Sequence, residues 1–199
     1  MKKLIVVTTP CFFPGEAHLL ACLFQQGLQR LHIRKPEEDK IQVKRLLEAI
    51  PSEFHSRVVL HDYFDLAETF RLGGIHLNHR NPEIPQGYRG SVSASCHSLQ
   101  EIQEKKYLDY VFLSPIFPSI SKEGYGNGFP KELLQAASEK GIIDSKVIAL
   151  GGLDVLTIPL IKSFPFGGYA VLGALWGKHP CRQQTNFILE QFKQLQLCR

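Results

Sequence analysis

No stretch of this 199-residue chain approaches the roughly 20 consecutive apolar residues of a membrane-spanning helix. Its first apolar run, Leu4-Ile5-Val6-Val7, ends at Thr8-Thr9-Pro10. Lys2 and Lys3 ahead of it look like the start of a secretory leader, but the run is too short for one. Paired cysteines are lacking as well. Cys11, Cys22, Cys96, Cys181 and Cys198 are odd in number, and no two have the close spacing of a zinc knuckle or a redox pair. That excludes a disulfide scaffold and leads us to expect reduced thiols and a cytoplasmic protein. Charge of one sign is scarce. The net charge is +4 and its cations are scattered, which gives no footing for nucleic acid. No glycine-rich dinucleotide fingerprint follows the first apolar run. No linker or low-complexity stretch interrupts the chain, so residues 1–199 read as one domain, long enough to bury its own core.

What the chain does have is alternation. Eight short apolar, β-branched runs recur: Leu4–Thr8, Leu31–Arg34, Val58–Leu60, Ile75–Leu77, Val92–Ser95, Tyr110–Leu113, Val147–Leu150 and Tyr169–Leu172. Continuous apolar runs of this length fit strands covered on both faces. Between them, helical spacing of apolar residues predicts helices over Glu16–Gln26, Asp39–Ile50, Asp65–Arg71, Leu99–Lys105, Pro130–Lys140, Val155–Phe164 and Gln183–Leu197. Pro130 suits a helix first turn, and Gly73 and Gly141 suit helix stops. The segment after the fourth run, Asn78 to Pro85, holds two prolines and reads as a loop. Eight strands with about seven helices give an α/β chain, a single (β/α)8 TIM barrel. A doubly wound open sheet is the alternative, but it usually has five or six strands.

In such a barrel the working groups sit where strands end. Those positions here are Thr8 and Thr9, Arg34 and Lys35, His61 and Asp62, Asn78 and His79, Ser93, Ser95 and His97, Ser114, Gly151 and Gly152, and Gly173 and Ala174. Eight polar or glycine-bearing ends on one face suggest a site. The glycines after strands 7 and 8 would let backbone N–H groups approach a phosphate, and two tight turns are the alternative. Arg34 and Lys35 supply cations for an anionic ligand, unless they are a solvated surface pair. Asp62 reads equally as a metal ligand or as a helix cap. The long loop from Ser114 to Gly128, with Lys122 in it, suits a lid.

These residues bear a resemblance. Ser114-Pro115-Ile116-Phe117-Pro118-Ser119 with Ser121-Lys122 is similar to a loop of the thiamine-phosphate synthase family, which includes a thiazole tautomerase branch. Leu60-His61-Asp62, Gly74-Ile75-His76-Leu77, Ser95-Cys96-His97-Ser98 and Ala149-Leu150-Gly151-Gly152-Leu153 match other family segments in order and spacing. The resemblance implies the joining of a hydroxymethylpyrimidine diphosphate to a thiazole phosphate with release of pyrophosphate. It implies Mg2+ as cofactor, small phosphorylated substrates, no nucleic acid or membrane partner, and allows a homo-oligomer. By position, Arg34, Lys35 and Lys122 would be catalytic, touching the diphosphate with Ser95. Asp62 and Asn81 would hold the metal. His32, His61, Ser119, Ser121, Gly152, Gly173 and Ala174 would bind substrate.

The chain departs from the family pattern in several places. His32 and His61 stand for a glutamine and an asparagine. Asn78, His79 and Asn81 stand for a glycine, a glutamine and an aspartate, and Gly173 stands for a serine. Losing that aspartate lowers the expected affinity for a hard cation. Pro115 stands where the tautomerase branch has a histidine, which leaves His32 or His61 as the base in that reading. A non-catalytic thiamine or thiazole phosphate-binding homologue is the third reading.

Overall fold

Apolar runs of three to six residues can satisfy their backbone groups only by pairing side by side. In the computed structural model, which describes residues 2–118, 128–177 and 180–198 apart from the Arg182 side chain, they do so as a closed ring. The strands are β1 (Lys3–Val7), β2 (Arg30–Ile33), β3 (Val58–Leu60), β4 (Gly74–Leu77), β5 (Ser91–Cys96), β6 (Tyr110–Leu113), β7 (Val147–Leu150) and β8 (Gly168–Val171). Each pairs in parallel with the next, and β8 closes on β1 with Ala170 beside Ile5. This is the expected (β/α)8 barrel.

Helices α1 (Glu16–Gln25), α2 (Lys40–Ala49), α3 (Asp65–Thr69), α4 (Leu99–Glu104), α5 (Lys131–Glu139), α6 (Gly173–Trp176) and α7 (Thr185–Leu197) follow the strands. Asp39 and Ser98 cap α2 and α4 by accepting from Gln42 N and Glu101 N. The layer between strands and helices holds Leu20, Leu23, Phe24, Leu31, Leu47 and Phe192, all buried. Each such side chain contributes about 1.5–3 kcal/mol on leaving water.

The barrel's interior has two halves. Ile5, Val7, Phe112, Ile148 and Ala170 make an apolar cluster. Facing it, β2, β4 and β5 send in His32, His76 and Ser93, each 0% exposed. The period-2 alternation makes this possible, since Leu31 and Ile33 face the helices while His32 faces inward.

Three local expectations change. The helix expected over Val155–Phe164 is only a 3-10 turn, Ile158–Ile161. Pro159 lacks an N–H, and Asp154 Oδ1 draws Leu156 N and Thr157 N to itself at 2.9 and 2.8 Å. Gly73 is not a helix stop. A Cβ there would lie 2.1 Å from Ser56 O, and the left-handed residue is Arg71, at φ 52°. Asp62 does not cap α3, whose preceding residue is Phe64. Gly141 does end α5 at φ 63°, and no helix joins β4 to β5.

Candidate functional site

The carboxyl ends of the strands surround a pocket of about 470 Å³. Val7, Arg34, His61, Asn78, Ser95, Ser114, Leu150 and Leu172 come to it from eight different strand ends. His79, Arg80, His97 and Lys105 also line it, with one acid, Glu101, beside Lys105.

Its floor is a hydrogen-bonded chain. His61 Nε2 and His32 Nδ1 lie 3.0 Å apart, and His32 Nε2 lies 2.9 Å from the Tyr110 hydroxyl. His76 bonds Ser93 Oγ at 2.8 Å and Ser95 Oγ at 2.9 Å. Burial pushes His32 and His61 well below the ordinary imidazole value, helped by His76 and by Arg30 or Arg34 and Arg80. His76 is pushed down to about 3 by burial, then by Lys105 and Arg34. All three rings are therefore neutral near pH 7, each with one donor and one acceptor nitrogen. One nitrogen of each lies within 4.8 Å of the others, close enough to raise the question of a metal ion. The orientation argues against one. His61 and His76 are stacked at 4.1 Å with planes 22° apart, so their lone pairs run side by side, and both His76 nitrogens already bond serines.

The cations differ among themselves. Arg34 lines the pocket, and its backbone N–H donates to Thr8 Oγ1 at 2.9 Å. Lys35 does not. Its ammonium is buried on Glu16, 2.8 Å from both carboxylate oxygens, with Cys11 O at 2.9 Å and the Phe12 ring 4.5 Å away. Burial pushes Lys35 down and Glu16 up, and each is opposed by the other's charge. Asp62 receives the Arg80 guanidinium on both oxygens at 3.0 Å, and Asn81 Nδ2 at 2.9 Å.

The glycine ends also differ. Gly152, at φ 64°, packs under Phe117, where a Cβ would come 2.7 Å from Phe117 Cβ. Gly173 opens α6 with nothing within 4 Å of where a Cβ would sit. Ala174 follows it, half-buried against the core. Ser119, Ser121 and Lys122 lie outside the described residues.

A family model described as thiamine monophosphate synthase matches residues 4–175. The chain belongs to that family. A thiamine-phosphate synthase of Cronobacter sakazakii is 26% identical over 84% of this chain and 84% of its own length. One from Staphylococcus carnosus is 21% identical over 80% and 77%. The crystal structure of a thiamine phosphate pyrophosphorylase from Bacteroides thetaiotaomicron superposes with a TM-score of 0.90 at 46% identity, covering 98% and 96% of the two chains.

Set beside this family, the pocket brings together Arg34, His61, Asn78, His79, Ser95, His97 and Ser114 of the residues expected from sequence. His32 lies beneath them, and Lys35 lies behind in its ion pair. Sequence reasoning missed Arg80, Lys105, His76 and Tyr110. For His76 a signal existed, because a polar residue inside an apolar strand run must find a partner. Arg80 gave none, since a charge in a loop is ordinarily solvated.

Proposed function

We propose that this protein is a thiamine-phosphate synthase, a transferase joining a pyrimidine diphosphate to a thiazole phosphate. The observation that carries the reading, beside family membership, is a 470 Å³ pocket at the strand ends with Arg34 and Arg80 on its wall. In the reaction, the carbon–oxygen bond to the diphosphate breaks and its electron pair leaves on pyrophosphate. The thiazole nitrogen closes a carbon–nitrogen bond in its place. The barrier lies in charge growing on the leaving group, and fixed cations stabilise that charge without reorganising.

Roles follow from position. Arg34 meets the diphosphate. His61 and Ser95 hydrogen-bond the pyrimidine or its diphosphate, and buried His32 acts through His61 by fixing its tautomer. Lys35 acts through Glu16, holding α1 against the end of β2. The open space at Gly173 supports a place for the thiazole phosphate, where the resemblance also puts Gly152 and Ala174. The resemblance gives Lys122 to the diphosphate and Ser119 and Ser121 to the thiazole side. Free cysteines, Cys96 among them with its thiol pushed up to about 11 by burial, support a cytoplasmic setting. Among the described residues no helix is long and apolar enough to cross a membrane.

Magnesium needs hard anionic oxygens in near-octahedral array. Asp62 and Asn81 do not fit that demand. Both Asp62 oxygens already accept from Arg80, and Asn81 turns its amide nitrogen toward Asp62. Pro115 stands where the tautomerase branch has its histidine, so that reading draws no support there.

The test is incubation of purified protein with both substrates, with magnesium in one arm and EDTA in the other. Thiamine phosphate and pyrophosphate should appear in equal amounts. Folded protein that makes neither in either arm sinks the synthase reading.

A further inference from the structure

The loop after β4 is built to place one guanidinium. Asn78 and Asn81 exchange backbone hydrogen bonds at 3.1 and 3.0 Å, closing a four-residue turn. Asn78 Oδ1 accepts from Arg80 N at 3.0 Å, and Asn78 Nδ2 donates to His61 O at 2.7 Å, which ties the turn to the end of β3. Arg80 then reaches Asp62 edge-on, Nε and Nη2 donating to Oδ1 at 3.1 and 3.0 Å and Nη2 to Oδ2 at 3.0 Å. Asn81 Nδ2 adds a bond to Asp62 Oδ1 at 2.9 Å and one to His61 O at 3.2 Å. Both neighbours of that amide are acceptors, so its nitrogen must face them and its oxygen cannot serve a cation there. The pair is mostly enclosed, with side chains 27% and 15% exposed.

Asp62 therefore has a resident cation. The other edge of that cation is available: Arg80 lines the pocket, and its Nη1 has no partner among the described residues. A guanidinium held on one edge by a carboxylate and open on the other is a rigid donor for phosphate oxygens. We propose that Arg80, anchored by Asp62, takes the place of a divalent cation, so that this chain binds the substrate's diphosphate without a metal. The proposal rests on the synthase reading for the identity of the anion. Arg34, at the end of β2 and two strands round the barrel, lines the same pocket and shares the load.

Calorimetric titration of the purified chain with inorganic pyrophosphate tests this. In EDTA the wild type should bind, and magnesium should change its affinity by no more than about twofold once the magnesium–pyrophosphate equilibrium is accounted for. Arg80→Gln, with folding checked by circular dichroism, should lose at least about tenfold in EDTA, the worth of one charge-assisted bond. Arg80→Lys keeps charge without the fork and should fall between. Binding that needs magnesium, no binding in either buffer, or an Arg80→Gln variant that binds like the wild type would each overturn the proposal. The magnesium comparison needs no variant, so a misfolded substitution does not remove the test. Failure here is separable from failure of the synthase reading. Thiamine phosphate made only with magnesium overturns metal-free binding and leaves the synthase standing. Metal-free pyrophosphate binding with no thiamine phosphate formed does the reverse.

Discussion

His32 sits in the middle of an apolar strand with no access to solvent, and its two nitrogens depend on His61 and Tyr110. Tyr110→Phe removes the hydroxyl and leaves His32 Nε2 without that partner in a dry interior. The expected cost is about 1–3 kcal/mol. Urea unfolding should show a lower midpoint with an unchanged slope, and an unshifted midpoint would count against the chain of bonds. The Glu16–Lys35 pair makes a second case. Glu16→Ala strands a buried ammonium and should cost about 3–5 kcal/mol. A Glu16→Leu, Lys35→Met double variant removes both desolvated charges and should recover most of that loss. If it also retains turnover, Lys35 works by holding the fold; if turnover vanishes while stability returns, it works on substrate. At this scale the sequence was partly legible. Arg34, His61 and Ser95 follow from counting to strand ends, because the barrel puts those ends on one face. The partner of Lys35 was not legible. Glu16 lies 19 residues away, with α1 and β2 between, and carries no mark distinguishing it from a solvated first-turn acid.

The elements themselves were nearly all legible, for a physical reason. A strand covered on both faces must be apolar throughout, and Val58–Leu60 or Val147–Leu150 leaves little room for another reading. The connection from β7 to β8 was not, because apolar spacing favours a helix while Pro159 and the Asp154 side chain break it locally. The glycines after β7 and β8 look alike in sequence and differ in structure. Gly152→Ala must hold φ near 64° and displace Phe117, so it should lose about 1–3 kcal/mol. Gly173→Ala meets open space at the start of a helix and should be neutral or gain about 0.4–1 kcal/mol. If Gly173 receives the thiazole phosphate, that same substitution should raise KM for the thiazole substrate while leaving thermal stability intact. A KM that does not move, with both substrates bound normally, would remove Gly173 from the phosphate site.

For the molecule as a whole, the half-polar interior sets a pH dependence. His32, His61 and His76 take a proton near the ordinary value of 6.5 when unfolded, but burial keeps them neutral in the barrel, His76 down to about 3. Below 6.5 the unfolded chain therefore binds more protons than the folded one, and stability must fall as the pH falls. About one pH unit above 6.5 all three are neutral in both states, and their contribution is complete. Each buried ring can remove up to about 1.4 kcal/mol per pH unit inside this window. Glu16, its carboxyl raised by burial, works in the opposite sense, so one group opposes three. The interval from 6.5 to 5 isolates the effect, because most exposed carboxylates stay ionised there. The cations around the rings, Arg30, Arg34, Arg80 and Lys105, deepen the shift. Calorimetric melting should thus show Tm falling steadily from pH 6.5 to 5 and level from about 7.5 to 8.5. His76→Gln, which can still bond Ser93 and Ser95, should flatten the acid limb by roughly a third whatever it does to absolute stability. A wild-type Tm level across both intervals would mean that the rings are solvated or already charged in the folded barrel, and the neutral floor assigned to the pocket would fall with it.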